Sequence, residues 1–74
     1  MTPIKNYIAN WFLNRKFRFT CDCLIAIDVT GTVREYEIKG AEIILLIARE
    51  KDGRIVHIGL NTPSLQIEEI KDEI

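Results

Sequence analysis

A chain of 74 residues is one small domain, 1–74, near the lower size limit for a self-sufficient hydrophobic core. Its 47% apolar and 28% charged residues exclude an intrinsically disordered chain, and a formal net charge of −1 gives no support by itself to nucleic acid or an anionic membrane as a partner. Domains of this size commonly depend on a disulfide, a metal or a partner subunit, and the sequence favours the partner subunit.

The N-terminal residues predict an amphipathic helix from Pro3 to about Asn14. Thr2 is a suitable N-cap, and Pro3 suits the first helical position. The apolar residues that follow recur at the spacing of one helical face, and they are Ile4, Tyr7, Ile8, Trp11 and Phe12. We expect this face to pack against a sheet rather than against a membrane, because its polar side is poor in cations.

After Lys16 the apolar residues occur at every second position, which is the period of a β-strand. All odd-numbered residues from Phe17 to Val29 are apolar, and Leu24 adds apolar character to the middle of the other face. The pattern predicts one long, bent strand. Thr30-Gly31 then interrupts the alternation and predicts a tight hairpin.

A second strand is predicted over Val33–Lys39, with Tyr36 and Ile38 on one face, and Gly40 is expected at a bulge or bend. The next segment, Glu42–Glu50, is apolar on both faces. Such a strand is central in a sheet, covered by the helix, or buried by another subunit.

Lys51-Asp52-Gly53 is a strong hairpin signal, and it is followed by a returning strand over Arg54–Leu60. The C-terminal segment has two interpretations. Thr62-Pro63 is compatible with the start of a second helix, whereas a turn at Pro63 and Ser64 leads into a fifth strand over Leu65–Ile70. We favour the strand slightly, because it covers an edge that four strands leave open.

These elements predict an α+β, mainly β domain: an N-terminal amphipathic helix packed on a small, strongly bent antiparallel sheet of four or five strands. The architecture is similar to that of SH3-like or Sm-like small barrels. The glycine- and Asp/Asn-containing signature of RNA-binding Sm proteins is not present between Arg18 and Leu46. The similarity therefore implies no family and no site.

Cys21 and Cys23 point to the same face of the predicted strand and are candidate zinc ligands, with His57 as a third. A fourth ligand is missing, and both cysteines belong to an unbroken apolar row. Free cysteine packs as a small hydrophobic residue, so we interpret both as free core thiols, with no metal. The sequence shows no signal peptide and no membrane-spanning run, so a cytoplasmic, reducing location is expected.

Catalysis has little support in the sequence. Ser64 is next to a proline in a turn, and Cys23 on an apolar face would be a poor nucleophile for His57 to activate. The four glycines are dispersed and form no phosphate-binding loop. We expect no enzymatic activity, no cofactor and no small-molecule substrate.

The best candidate for contact with a partner is the segment 15–19, in which basic residues alternate with aromatic ones. Cations neutralise phosphates and aromatic rings stack on bases, so this composition fits nucleic acid. However, Phe17 and Phe19 continue the buried row. The candidate contact residues, for nucleic acid or an acidic partner, are Arg15, Lys16, Arg18 and Arg34.

The sequence therefore favours a small non-enzymatic interaction module that forms a homo-oligomer or binds another protein as an accessory subunit. The doubly apolar segment Glu42–Glu50 and the open edges of a small sheet motivate this interpretation. The alternative is a small nucleic-acid-binding barrel that uses the basic segment 15–18.

Overall fold

A computed structural model of the chain describes residues 4–22 and 26–71. These residues form one helix and five strands: α1 (Ile4–Phe12), β1 (Lys16–Cys21), β2 (Ile27–Lys39), β3 (Glu42–Arg49), β4 (Ile55–Gly59) and β5 (Leu65–Glu69). All strand pairs are antiparallel, and the strand order in the sheet is β4-β3-β2-β1-β5. The predicted mainly β class is confirmed. The sheet is not closed, so an SH3-like or Sm-like barrel is not confirmed.

The core lies on one face of the sheet, where side chains from alternate strand positions meet. Phe17 and Phe19 of β1 are fully buried, as are Leu45 and Ile47 of β3. The alternation predicted from Phe17 onward is therefore confirmed in β1. The buried cluster consists of Ala9, Phe12, Phe17, Phe19, Val29, Val33, Ile43, Leu45, Ile47 and Ile58.

The predicted long strand is in fact two strands, and the predicted hairpin at Thr30-Gly31 is wrong. Cys21 at the end of β1 pairs with Ile27 at the start of β2, so the chain reverses between these two residues. Gly31 lies inside β2 and is buried. A Cβ atom at this position would overlap the backbone of Ala48 on β3, so glycine permits the close approach of two strands here.

A β-bulge at Arg34 divides β2 into two halves with opposite phase. Val33 pairs with Ile47, and Glu35 pairs with Leu46, so Arg34 is an extra residue without a partner on β3. Before the bulge the odd-numbered residues face the core, and after it the even-numbered residues do. The predicted placement of Tyr36 and Ile38 on one face is confirmed, since they pair with core residues of β3.

Two tight turns connect β2, β3 and β4. Gly40 has a φ of +58° and begins the two-residue loop between Lys39 and Glu42, so it lies in a hairpin rather than at the predicted bulge or bend. The hairpin predicted at Lys51-Asp52-Gly53 is confirmed, and Gly53 has a φ of +73°. At both positions glycine tolerates a left-handed backbone that other residues adopt at a cost.

The C-terminal segment forms the fifth strand, which resolves the two alternatives in favour of the strand. Pro63 and Ser64 form the predicted turn, and β5 then pairs with β1 at the opposite edge of the sheet from β4. Leu65 lies opposite Cys21, and Ile67 lies opposite Phe19. Both apolar residues of β5 therefore extend the core face, although Ile67 stays exposed at the edge.

Helix α1 is joined to the sheet through its C-terminal end. Asn14 has a left-handed φ of 61°, a conformation that asparagine tolerates at helix C-termini. Its backbone N–H donates to the carbonyl of Val33 at 2.8 Å, and the carbonyl of Arg15 accepts from the N–H of Val33 at 3.0 Å. The predicted N-terminal residues Thr2 and Pro3 lie outside the described part of the chain.

Candidate interaction surfaces

The apolar side of α1 that the sequence predicts to be buried is largely exposed. Four of its five residues are exposed, and we call these four the apolar stripe. Their exposed fractions are 76% (Ile4), 65% (Tyr7), 46% (Ile8) and 48% (Trp11). Only the fifth, Phe12, is buried, together with Ala9. The prediction that this face packs against the sheet is therefore wrong for the stripe.

The helix has a second, narrower apolar side, and this side contacts the sheet. Successive residues of an α-helix are about 100° apart, which places Ala9, Phe12 and Leu13 together and roughly 140° from the middle of the stripe. The sheet already fills its own core face with bulky side chains such as Phe17 and Leu45. Small Ala9 lets the helix backbone approach this filled surface, and the larger stripe residues remain outside.

Trp11 is exposed but held in place. Its ring makes an edge-to-face contact with Phe12 at a centroid distance of 5.1 Å and a tilted contact with Phe17 at 5.6 Å. The guanidinium carbon of Arg15 lies 4.6 Å from the centroid of the Trp11 ring, which is a cation–π contact. The stripe is consequently an ordered surface, with its largest side chain fixed at one end.

Two asparagines lie on α1 outside the stripe. The side chain of Asn6 donates to the hydroxyl of Tyr36 on β2 at 3.2 Å, and Asn10 is exposed. The helix has no acidic residue in its first turn and no basic residue in its last turn. The sequence of α1 also contains one basic residue, Lys5.

The second candidate surface contains the basic residues predicted to contact a partner. Arg18 on β1 forms a two-pronged ion pair with Asp28 on β2, with Nε–Oδ1 and Nη2–Oδ2 distances of 3.1 and 3.0 Å. This hydrogen bonding lowers the pKa of Asp28 below its ordinary value. Lys16 pairs with Glu50, so the cations of β1 have carboxylate partners within the chain.

Of the remaining two basic residues, one is ion-paired and the other is not. Arg15 bonds to Glu69 on β5, with an Nη1–Oε2 distance of 3.4 Å. Arg34 is exposed at the bulge of β2 and has no ion-pair partner among the described residues. Phe17 and Phe19 are 1% and 0% exposed, which confirms that these aromatic rings belong to the core. They present no face on which a base could stack.

Shallow grooves run over the polar face of β1 and its neighbours. One of 450 Å³ is lined by Arg18, Thr20, Gln66, Ile67 and Glu68. Another, of 350 Å³, has both acidic and basic side chains along its wall, including Asp28 and Lys51. Both are open to solvent and mixed in charge, unlike the concave, mostly apolar sites that hold small ligands.

Cys21 is disulfide-bonded, so the expectation of a free thiol is wrong at this position. Cys23, the other cysteine of the sequence, lies outside the described residues. The sulfur of Cys21 is 3.2 Å from the carbonyl oxygen of Pro63, a close contact rather than a hydrogen bond, because a disulfide sulfur carries no proton. While this bond is intact, Cys21 cannot serve as a thiolate ligand for zinc.

The other residues considered for chemistry are dispersed. His57 is exposed on β4, and two strands separate β4 from β1. Ser64 is exposed in the turn before β5. In the described ranges 4–22 and 26–71, no three His, Cys, Asp or Glu side chains lie close enough together to hold a metal ion.

Comparison with known proteins identifies no relative: no family model, no curated protein and no solved structure matches the chain. The one helix in the described part of the chain has nine residues, too few to cross a bilayer.

Proposed function

We propose that this chain is a small non-enzymatic interaction module that buries the apolar stripe of α1 against another protein surface, as a homo-oligomer or as an accessory subunit. The observation that carries the proposal is the exposure of Ile4, Tyr7, Ile8 and Trp11 on a helix whose other side is already docked. Four such side chains present roughly 450 Å² of apolar surface, the size of patch that is often functional on a small protein.

The stripe supports this proposal better than the doubly apolar segment that motivated it from the sequence. That segment, β3, is an interior strand of the sheet, between β2 and β4. One face of β3 is buried in the core, and Ile44 and Leu46 on its other face are half-buried. An interior position accounts for the composition of β3. Nothing described in the chain covers the stripe.

The proposal is tested by comparing the wild-type chain with the double variant Ile4→Ser/Tyr7→Ser. Both side chains are mostly exposed, so the free energy of unfolding should change by less than about 1 kcal/mol. The matched control is Ile55→Ser, which removes a 51% exposed isoleucine from β4. Size-exclusion chromatography with light scattering at high micromolar concentration measures self-association of all three proteins.

A second measurement covers the case of a different protein partner. Each of the three proteins is immobilised, and the proteins retained from an extract of the native host are compared. The proposal requires self-association, or retention of a defined partner, that the double variant loses and Ile55→Ser keeps. A wild-type chain that stays monomeric and retains nothing more than the double variant would overturn it.

The alternative proposal, a small nucleic-acid-binding domain, rests on the placement of Lys16, Arg18 and Arg34 on the adjacent strands β1 and β2. It has less support, because Lys16 and Arg18 are paired with carboxylates and the neighbouring phenylalanines are buried. Filter binding with single- and double-stranded DNA and RNA at low salt tests it, since phosphate contacts are strongest there. Saturable binding that Arg34→Ala weakens would favour this alternative.

A further inference from the structure

We infer that the partner on the apolar stripe is a second copy of this chain, with the two α1 helices packed antiparallel about a two-fold axis. The inference rests on the proposed function, and it narrows the partner from any protein surface to the same surface of an identical chain. Two properties of the stripe support it: the order of large and small side chains, and the area that two copies bury together.

The order of side chains is complementary to itself when one helix is reversed. The midpoint of the stripe falls between residues 7 and 8, so a two-fold axis there places Tyr7 against the partner's Ile8. The same axis places Ile4 against the partner's Trp11. Each contact joins an aromatic ring to a branched aliphatic side chain, and such size alternation lets two helix surfaces interdigitate.

A parallel pair of helices would have neither the alternation of large and small side chains nor well-separated Arg15 groups. It would set Trp11 against the partner's Trp11 and Ile4 against the partner's Ile4, so large meets large and small meets small. It would also bring the two Arg15 guanidinium groups together. In the antiparallel pair each Arg15 lies beyond an opposite end of the stripe, roughly 20 Å from the other at 1.5 Å rise per residue.

A membrane surface is a less suitable partner for the stripe. The polar residues of α1 are one lysine and two asparagines, whereas interfacial helices are normally rich in lysine and arginine on the polar side.

Two copies of the stripe bury about 900–1,000 Å² in total, which is close to the lower limit for a specific interface. A different partner with a larger surface would bury no more of the stripe than a second copy does. We therefore expect a reversible dimer with a micromolar dissociation constant. The protein has a single tryptophan, Trp11, which lies in the stripe and reports association through its fluorescence.

The experiment uses two single variants, Tyr7→Glu and Ile8→Lys, each alone and as an equimolar mixture. Each variant alone places a charge against an apolar residue twice per dimer, and we expect its dissociation constant to rise by at least about tenfold. In an antiparallel mixed dimer one new contact joins the introduced carboxylate to the introduced ammonium, and the other contact is the native one. The mixture should therefore associate within about tenfold of the wild type.

Association is measured by sedimentation velocity over a concentration series and by Trp11 emission. A non-reducing gel excludes intermolecular disulfides, and circular dichroism checks that each variant is folded. A wild-type dimer that each single variant dissociates and the mixture restores supports the inference. A dimer that the mixture does not restore overturns the antiparallel pairing and leaves the proposed function standing. A monomeric wild type whose stripe binds lipid vesicles or a different protein overturns the second copy as partner.

Discussion

Gly31 on β2 lies directly against the backbone of Ala48 on β3, and a Cβ atom at Gly31 would overlap the Ala48 carbonyl oxygen. The same atom would also lie 2.8 Å from the Cγ2 of Ile47, which is fully buried in the core. Glycine at this position therefore sets the spacing of the two longest strands. Because backbone atoms form part of the obstacle, a side-chain rearrangement cannot relieve it.

We expect Gly31→Ala to lower the free energy of unfolding by about 2–3 kcal/mol through overpacking. The matched control is Gly40→Ala, where no atom lies within 4 Å of the added Cβ but the φ of +58° is unfavourable for alanine. That strain alone should cost about 1 kcal/mol. Urea denaturation of both variants measures the difference, and an equal or smaller loss for Gly31→Ala would contradict the crowding argument.

Deletion of Arg34 should prevent normal folding. The bulge is what allows Val33 and Tyr36 both to face the core, and without the extra residue only one half of β2 keeps its inward phase. The control Arg34→Ala keeps the bulge and should stay within about 0.5 kcal/mol of the wild type. Circular dichroism and two-dimensional NMR spectra of both proteins give the answer. A well-folded deletion variant would show that β2 can change register at little cost.

The turn between β3 and β4 should contribute stability that disappears in acid. The Arg49 guanidinium and the Arg54 backbone N–H both donate to the Asp52 carboxylate, which lowers the pKa of Asp52 from 3.8 to about 2. A pKa lowered in the folded state gives a contribution that is complete above the unfolded value of 3.8 and is lost as pH falls through about 2.

We therefore expect Asp52→Asn to be less stable than the wild type at pH 6, with the difference shrinking as pH approaches 2. The amide keeps one acceptor oxygen for the Arg54 N–H but loses the charge. Urea denaturation of the two proteins at several pH values measures this convergence. A difference that stays constant from pH 6 to 2 would show that the carboxylate charge does not matter.

Arg15 should hold Trp11 in place at the end of the stripe. Its guanidinium lies over the indole ring and also reaches Glu69 on β5. Arg15→Gln should cost about 1 kcal/mol, the scale of one exposed cation–π contact with a weak ion pair, and should increase the mobility of Trp11. Arg15→Lys keeps the charge but not the planar group, so we expect an intermediate effect. Trp11 fluorescence anisotropy and urea denaturation measure both effects, and unchanged anisotropy in Arg15→Gln would contradict this role.

The break between β1 and β2 was not predictable from the alternation of apolar residues. Cys21 pairs with Ile27 across the connection, and both are odd-numbered, so the residues between them preserve the phase. A period of two therefore continues through a chain reversal as if one strand were present. The sequence instead places the turn at Gly31, because a glycine fits a turn and a crowded strand equally well.

Local residue preferences by themselves determined the helix at the N-terminus, the mainly β class, the turn at 51–53 and the burial of Phe17 and Phe19. These features depend on short-range spacing, which is written in the chain. The tertiary structure alone decided which side of α1 is buried, because Ala9 with Phe12 and the stripe are both apolar at helical spacing. The physical reason is the limited room on a sheet whose core face is already filled: it admits the small Ala9 and leaves the large residues of the stripe outside.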